Sequence, residues 1–220
     1  MLETNAKSLY PALEPVERIS EVLFGLIMVL TCTGTLSVAT ADRMQIRTML
    51  IGALGCNLAW GIIDAGMFLM GRLHEQGRNI SILRSVRNSP SPKTAQRAIV
   101  NALPPIVGSI LPQEQLDLIR ERLMELPDPS TYPILTKKDG IGALAVCLLV
   151  FLSTFPVTIP FIVFDDARFA LRISNLIAVA MLFVCGYLIG HYAGLRRWIM
   201  GASCVAIGSV LVLIAIALGG

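Results

Sequence analysis

Charge is scarce in this chain. Asp, Glu, Lys and Arg make up 15% of its 220 residues, against about a quarter in soluble globular proteins. Aromatic residues are equally thin at 6%, so the apolar content consists of Leu, Ile, Val and Ala, as lipid-facing helices prefer. The net charge of +3 is small and dispersed, which excludes the basic footprint of a nucleic-acid binder. There are two histidines, His74 and His191, both beside charged boundaries where exposed histidines are ordinary. No nucleotide-binding loop, serine-nucleophile motif or HExxH occurs, and an intramembrane hydrolase would need a Ser or Asp pair deep in lipid; the expectation is that the protein is not an enzyme. The five cysteines, Cys32, Cys56, Cys147, Cys185 and Cys204, all fall in apolar runs without zinc or redox spacing, and read as small packing residues.

What is abundant is hydrophobic residue: 55% of the chain, with a mean hydropathy of +0.70. Such a composition belongs to a membrane protein. The expected fold class is an all-α membrane protein of five transmembrane helices, residues 19–41, 48–71, 140–164, 173–190 and 198–218, each near the length that spans a bilayer. The first apolar run, 22–41, is longer than a signal-peptide core and follows an acidic segment, so it reads as a retained helix. The expected domains are 1–71, an N-terminal segment with helices 1 and 2; 72–139, a cytoplasmic helical insert; and 140–220, helices 3 to 5.

The insert holds ten of the eighteen Lys and Arg residues and eight of the twelve prolines. With the N-terminus inside, 14 basic residues (Lys7, Arg18, ten in the insert, Arg196 and Arg197) face the cytoplasm and 4 (Arg43, Arg47, Arg168 and Arg172) face outward. That bias predicts N-in, C-out. Within the insert, Pro112 suits a helix start, and the amphipathic helix after it carries Leu116, Ile119, Leu123 and Leu126 on one face. Its acids Glu114, Asp117, Glu121 and Glu125 recur every three or four residues on another face. A solvated surface explains them; a peripheral metal-collecting face is the functional alternative.

Asp64 stands alone in the second apolar run, the only charge between Thr48 and Gly71. An ionised carboxylate at the centre of a membrane helix costs roughly 2.5–3.5 kcal/mol on insertion scales unless a partner, water or proton meets it. Asn57, Trp60, Asp64 and Met67 recur at offsets of three and four, and on the preceding helix Glu17, Glu21 and Met28 form a second polar and sulfur-bearing stripe. Folding the two helices about the connection at 42–47 places at one depth residues whose numbers sum to about 85, by the antiparallel geometry of a helical hairpin. Glu21 then faces Asp64, Met28 faces Asn57, and Glu17 faces Met67 or Phe68. Clustered carboxylates repel unless protons or a cation intervene. Carboxylate oxygen with thioether sulfur suits a divalent metal of intermediate softness, Fe2+ or Mn2+. The candidate metal residues are therefore Glu17, Glu21, Met28, Asp64 and Met67, with Asn57 as an auxiliary polar group. The alternative leaves Glu17 and Glu21 among headgroups, with Asp64 protonated or paired to Arg18.

These residues, with FPVTIPFIVF at 155–164 and CGYLIGHYAG at 185–194 leading into basic residues and a Gly-rich last helix, resemble the vacuolar iron transporter family. The likeness covers both apolar blocks, about 145 residues, and not the insert. It implies five helices, N-in and C-out, and a homodimer whose first two helices line a path exchanging Fe2+, and often Mn2+, for protons. The family places an Asp where this chain has Phe24; Glu21, one turn earlier, is the substitute, with Asp64 and Met67 on the second helix. The resulting expectation is a divalent-metal/proton antiporter of a bacterial inner membrane, with no resident cofactor. The alternative is a non-transporting membrane scaffold whose insert binds a partner.

Elsewhere, Pro156 and Pro160 deprive helix 3 of two amide donors and either open a cavity or bend it. Asp165 and Asp166 mark the outer boundary with Arg168 and Arg172 as local partners. Asn175 suits a hydrogen bond between helices, and Gly201, Ser203, Gly208 and Ser209 suit close helix packing.

Overall fold

The computed structural model describes residues 15–34, 43–128 and 132–217, and every regular element among them is helical. In chain order these are α1 Pro15–Gly34, α2 Arg43–Arg87, α3 Pro92–Ala102, α4 Pro105–Ile110, α5 Gln113–Glu125, α6 Lys137–Ser153, α7 Phe155–Val163, α8 Ala167–Tyr192 and α9 Arg197–Ala217. Four stretches are long and apolar enough to cross a membrane: Met44–Arg87, Lys137–Val163, Ala167–Tyr192 and Arg197–Ile214. The described part of α1 carries Glu17, Arg18 and Glu21 near its start and is not among them; residues 35–42, where its apolar run continues, lie outside the described residues.

Two elements differ from the sequence expectation. The second helix does not stop at Gly71 but continues unbroken to Arg87, 45 residues in all, or about 68 Å at 1.5 Å per residue. Charge arrives at Arg72, and nothing there breaks a helix. Arg72 instead pairs with Glu75 at 2.7 Å across one turn, and the break comes only where Pro90 and Pro92 enter. The third helix is two helices, α6 and α7, separated at Thr154. Pro156 has no amide proton to give Leu152 O, and the chain responds with a tighter turn in which Thr154 N donates to Phe151 O at 3.3 Å.

Packing divides the chain into two units, residues 1–68 with 138–220, and residues 69–137; the insert read at 72–139 overlaps the second along nearly its whole length. In the first, Leu26, Val29 and Leu30 of α1, Ala53 of α2, Val157 of α7 and Ala178, Leu182 and Cys185 of α8 form the core. The α8–α9 hairpin turns through Gly194 at φ 67°, with Leu195 N donating to Gly190 O at 2.9 Å, a C-cap that favours glycine. Glycines then let its helices close: a Cβ on Gly186 would meet Met200 O at 2.5 Å, one on Gly201 the Phe183 ring at 2.7 Å, and one on Gly208 Leu182 at 3.0 Å. Ser209, expected on the same seam, is exposed. Asp166 caps α8, accepting from Arg168 N at 2.8 Å and Phe169 N at 3.4 Å.

In the second unit, Val86 of α2, Ala95 and Ile99 of α3 and Leu116 of α5 make a small core, flanked by Ile119 and Leu123. Leu126, expected on that apolar face, is exposed. Arg87 closes the unit: its guanidinium donates to Leu123 O at 3.3 Å, to Leu126 O, and to Asp128 at 2.6 Å. It thereby satisfies carbonyls at the negative end of α5 that no following turn can reach.

Candidate functional site

Gly25 is the point on α1 at which three elements converge. A Cβ there would lie 2.1 Å from Ser153 Oγ and 2.9 Å from Val150 O, so only glycine lets α1 approach the end of α6. From α2, Asn57 reaches the same place. It is fully buried, and its Nδ2 donates to Gly25 O at 3.0 Å and toward Thr154 Oγ1 at 3.5 Å. Thr154 Oγ1 turns back to its own turn and donates to Phe151 O. Ser153 Oγ likewise donates to Val150 O at 2.6 Å. Both protons of the Asn57 amide are thus directed at oxygens, while its Oδ1 has no hydrogen-bond partner among the described residues.

Beside this junction lies a cavity of about 270 Å³ lined by Phe24, Gly25, Ile27, Met28, Trp60, Asp64 and Val150. Asp64 is half-buried, and no hydrogen bond or ion pair reaches it among the described residues; the pairing with Arg18 is not made. A charged group in a helix long and apolar enough to cross lipid is costly unless a partner or water meets it. Met28 lines the same cavity, and Phe24 contributes an aromatic wall where the family resemblance leads one to look for an acid.

The structure brings together Met28 and Asp64 of the predicted set. Glu21 is half-buried, with Oε2 shielded from solvent, but does not line the cavity. Met67 is exposed and also outside it. Glu17 lies on α1, and its side chain falls outside the described residues. Among the described residues no group of three or more His, Cys, Asp or Glu side chains is placed to hold a metal ion. Asn57 meets Gly25, not Met28, so the observed contact sits three residues, nearly one helical turn, from the depth the symmetric hairpin predicted.

Other expectations resolve locally. Asn175 is exposed and makes no hydrogen bond among the described residues; its neighbour Ser174, fully buried, makes the interhelical bond, donating to Val157 O at 2.7 Å. On α5, Glu114 and Glu121 are exposed, Asp117 accepts from Gln96 Nε2 at 2.9 Å, and Glu125 pairs with Arg122 at 3.0 Å. Two of these four acids are thus engaged by nearby side chains. Missed by the sequence reading was the junction of Gly25 with Ser153 and Thr154; the Ser-Thr step two residues before a proline was the available signal. A second cavity of about 210 Å³, lined by Ile46, Arg47, Leu50, Phe161, Ile162, Phe164 and Asp165, lies at the start of α2. Compared with protein-family models and with curated proteins, the chain matches none.

Proposed function

We propose that this protein is an integral membrane transporter that moves a divalent transition metal, Fe2+ or Mn2+, in exchange for protons. It would act as a homodimer in a bacterial inner membrane, with five membrane helices, the N-terminus and the 72–139 insert in the cytoplasm and the C-terminus outside. The observation that carries the reading is Asp64: a half-buried carboxylate on a membrane-length helix, without a protein partner among the described residues, lining a cavity that Met28 also lines. Oxygen and sulfur donors together favour a transition metal over magnesium or calcium.

In this mechanism Asp64 and Met28 bind the cation, and Asp64 takes a proton when the metal leaves, so that binding of either expels the other. Glu21 and Met67 supply further donors as metal passes along the α1–α2 face, and Glu17 gathers cations at the mouth. Asn57 keeps α1 and α2 in register beside the cavity through Gly25 O. Metal uptake into proteoliposomes under an imposed pH gradient is the test. Asp64→Asn, which keeps shape and removes the charge, is expected to abolish gradient-driven uptake; uptake at the wild-type rate would falsify the mechanism.

A second reading, a non-transporting scaffold whose insert binds a partner, is favoured by the Phe24 wall of the cavity and by the lack of a three-acid cluster among the described residues. It predicts tolerance of Glu21→Gln with Asp64→Asn and loss of function on deletion of residues 112–126. Growth of cells lacking the protein under excess iron or manganese separates the two readings, since a scaffold leaves metal tolerance unchanged.

A further inference from the structure

The chain enters α6 through Tyr-Pro-Ile-Leu-Thr-Lys-Lys, residues 132–138. Tyr132, Ile134 and Leu135 are exposed, Ile134 at 65%, and Lys137 and Lys138 beside them are exposed as well. An exposed Tyr-Ile-Leu cluster followed by two lysines is costly in bulk water, because much of its apolar surface is open to solvent. The segment is nevertheless held in place. Ile134 N donates to Gln76 Oε1 at 3.0 Å, and Pro133 lines a groove with Gly77, Ser81 and Arg84 of α2. One side of the segment is therefore fastened to α2, which leaves Ile134 and Leu135 presented outward. Lys137 is also the first residue of a 27-residue stretch of membrane-crossing length.

We propose that residues 132–138 form an interfacial anchor that seats in a bilayer of anionic phospholipid. Ile134 and Leu135 enter the boundary of the acyl chains, Tyr132 lies at headgroup level, and Lys137 and Lys138 meet the phosphates. Three features on the same short segment select lipid as the occupant. Its apolar residues are continuous with a membrane span, so the bilayer is already at its end. Its aromatic and basic residues are the types that settle at that boundary. Its charge is complementary to anionic headgroups, each lysine near such a surface shifting the balance about fivefold. The hydrogen bond from Ile134 N matters because a backbone amide entering a partly apolar layer needs a partner. The inference is independent of the cargo: it stands on the membrane span at Lys137, and a failed transport assay leaves it untouched.

The test uses the full chain in proteoliposomes with Trp60→Phe and Trp198→Phe as background and a single tryptophan at Ile134→Trp. The control is Ile106→Trp on α4, a site 78% exposed and equally apolar. Quenching by phospholipids brominated near the headgroup end of the chain is expected to be at least about twofold stronger at position 134 than at 106, as interfacial seating requires. It should rise with the fraction of phosphatidylglycerol and fall when Lys137→Gln and Lys138→Gln are added. Equal quenching at the two positions, or quenching indifferent to headgroup charge, overturns the proposal. If the tryptophan replacements unfold the protein, hydroxyl-radical oxidation of Tyr132 in the unaltered chain gives the same decision. Protection in phosphatidylglycerol nanodiscs over phosphatidylcholine nanodiscs supports the anchor, and equal oxidation sinks it.

Discussion

Asn57 shows how a polar side chain can be bonded at one end and unsatisfied at the other. Its Nδ2 ties α2 to Gly25 O, whereas Oδ1 is buried without a partner among the described residues, a state that costs about 1–3 kcal/mol. Removing both ends together is therefore cheaper than removing the donor alone. Asn57→Leu is expected to change stability by no more than about 1 kcal/mol, in keeping with interhelical hydrogen bonds in membranes. Asn57→Asp keeps the shape but replaces the donor with a second acceptor facing Gly25 O, and should cost several times more, on the order of 3 kcal/mol. Thermal unfolding in detergent at pH 7 ranks the two; the reverse order would show that the Gly25 bond does not hold the junction. Asp64 was legible from sequence because a single charge in an apolar run is conspicuous. Gly25 was not, because what makes it necessary is the Ser153 hydroxyl on another helix 2.1 Å from its absent Cβ.

At the level of elements, breaks and continuations follow hydrogen-bond supply. α6 and α7 separate where proline withholds a donor, and α2 continues past the last apolar turn because Arg72 and its neighbours supply every amide a helix needs. α5 ends on a side chain: Arg87 covers its last carbonyls and also touches Asp128. These two contacts are unequal. Asp128 is 98% exposed, and an ion pair with so exposed a partner contributes little, about 0–1 kcal/mol, whereas carbonyls left bare at a helix end lose a charged donor. Arg87→Ala should accelerate hydrogen exchange over the last turn of α5 by roughly tenfold, equivalent to about 1.4 kcal/mol. Asp128→Asn should leave that exchange within about twofold of wild type. Equal effects of the two substitutions would assign the role to the ion pair.

For the whole molecule, the distribution of Lys and Arg predicts which ends lie on which side of a membrane. With 14 basic residues assigned inside and 4 outside, alkaline phosphatase fused after Gly220 is expected to be active, and the same enzyme fused after Pro112 inactive. Active fusions at both sites would require an even number of crossings between them and a different count of spans. That count bears directly on α1. Its described residues carry Glu17, Arg18 and Glu21 and are not among the candidate spans, yet Leu26, Val29 and Leu30 stand at the heart of the first unit's core. A helix buried by its neighbours can keep charges near its start that a lipid-exposed helix of the same length would not.

Composition and periodicity alone determined that the chain is helical and of membrane type, where most of its helices lie, and that Asp64 is the residue to explain, because lipid admits little but helices and makes each buried charge conspicuous. Tertiary structure decided which residues meet it. It placed Met28 and Phe24 beside Asp64, set Gly25 against Asn57 nearly a turn from the depth a symmetric hairpin gives, and moved the interhelical bond from Asn175 to Ser174. Those outcomes depend on how closely backbones approach at a glycine and on where prolines divide a helix, and such distances between segments remote in sequence are fixed only when the helices pack.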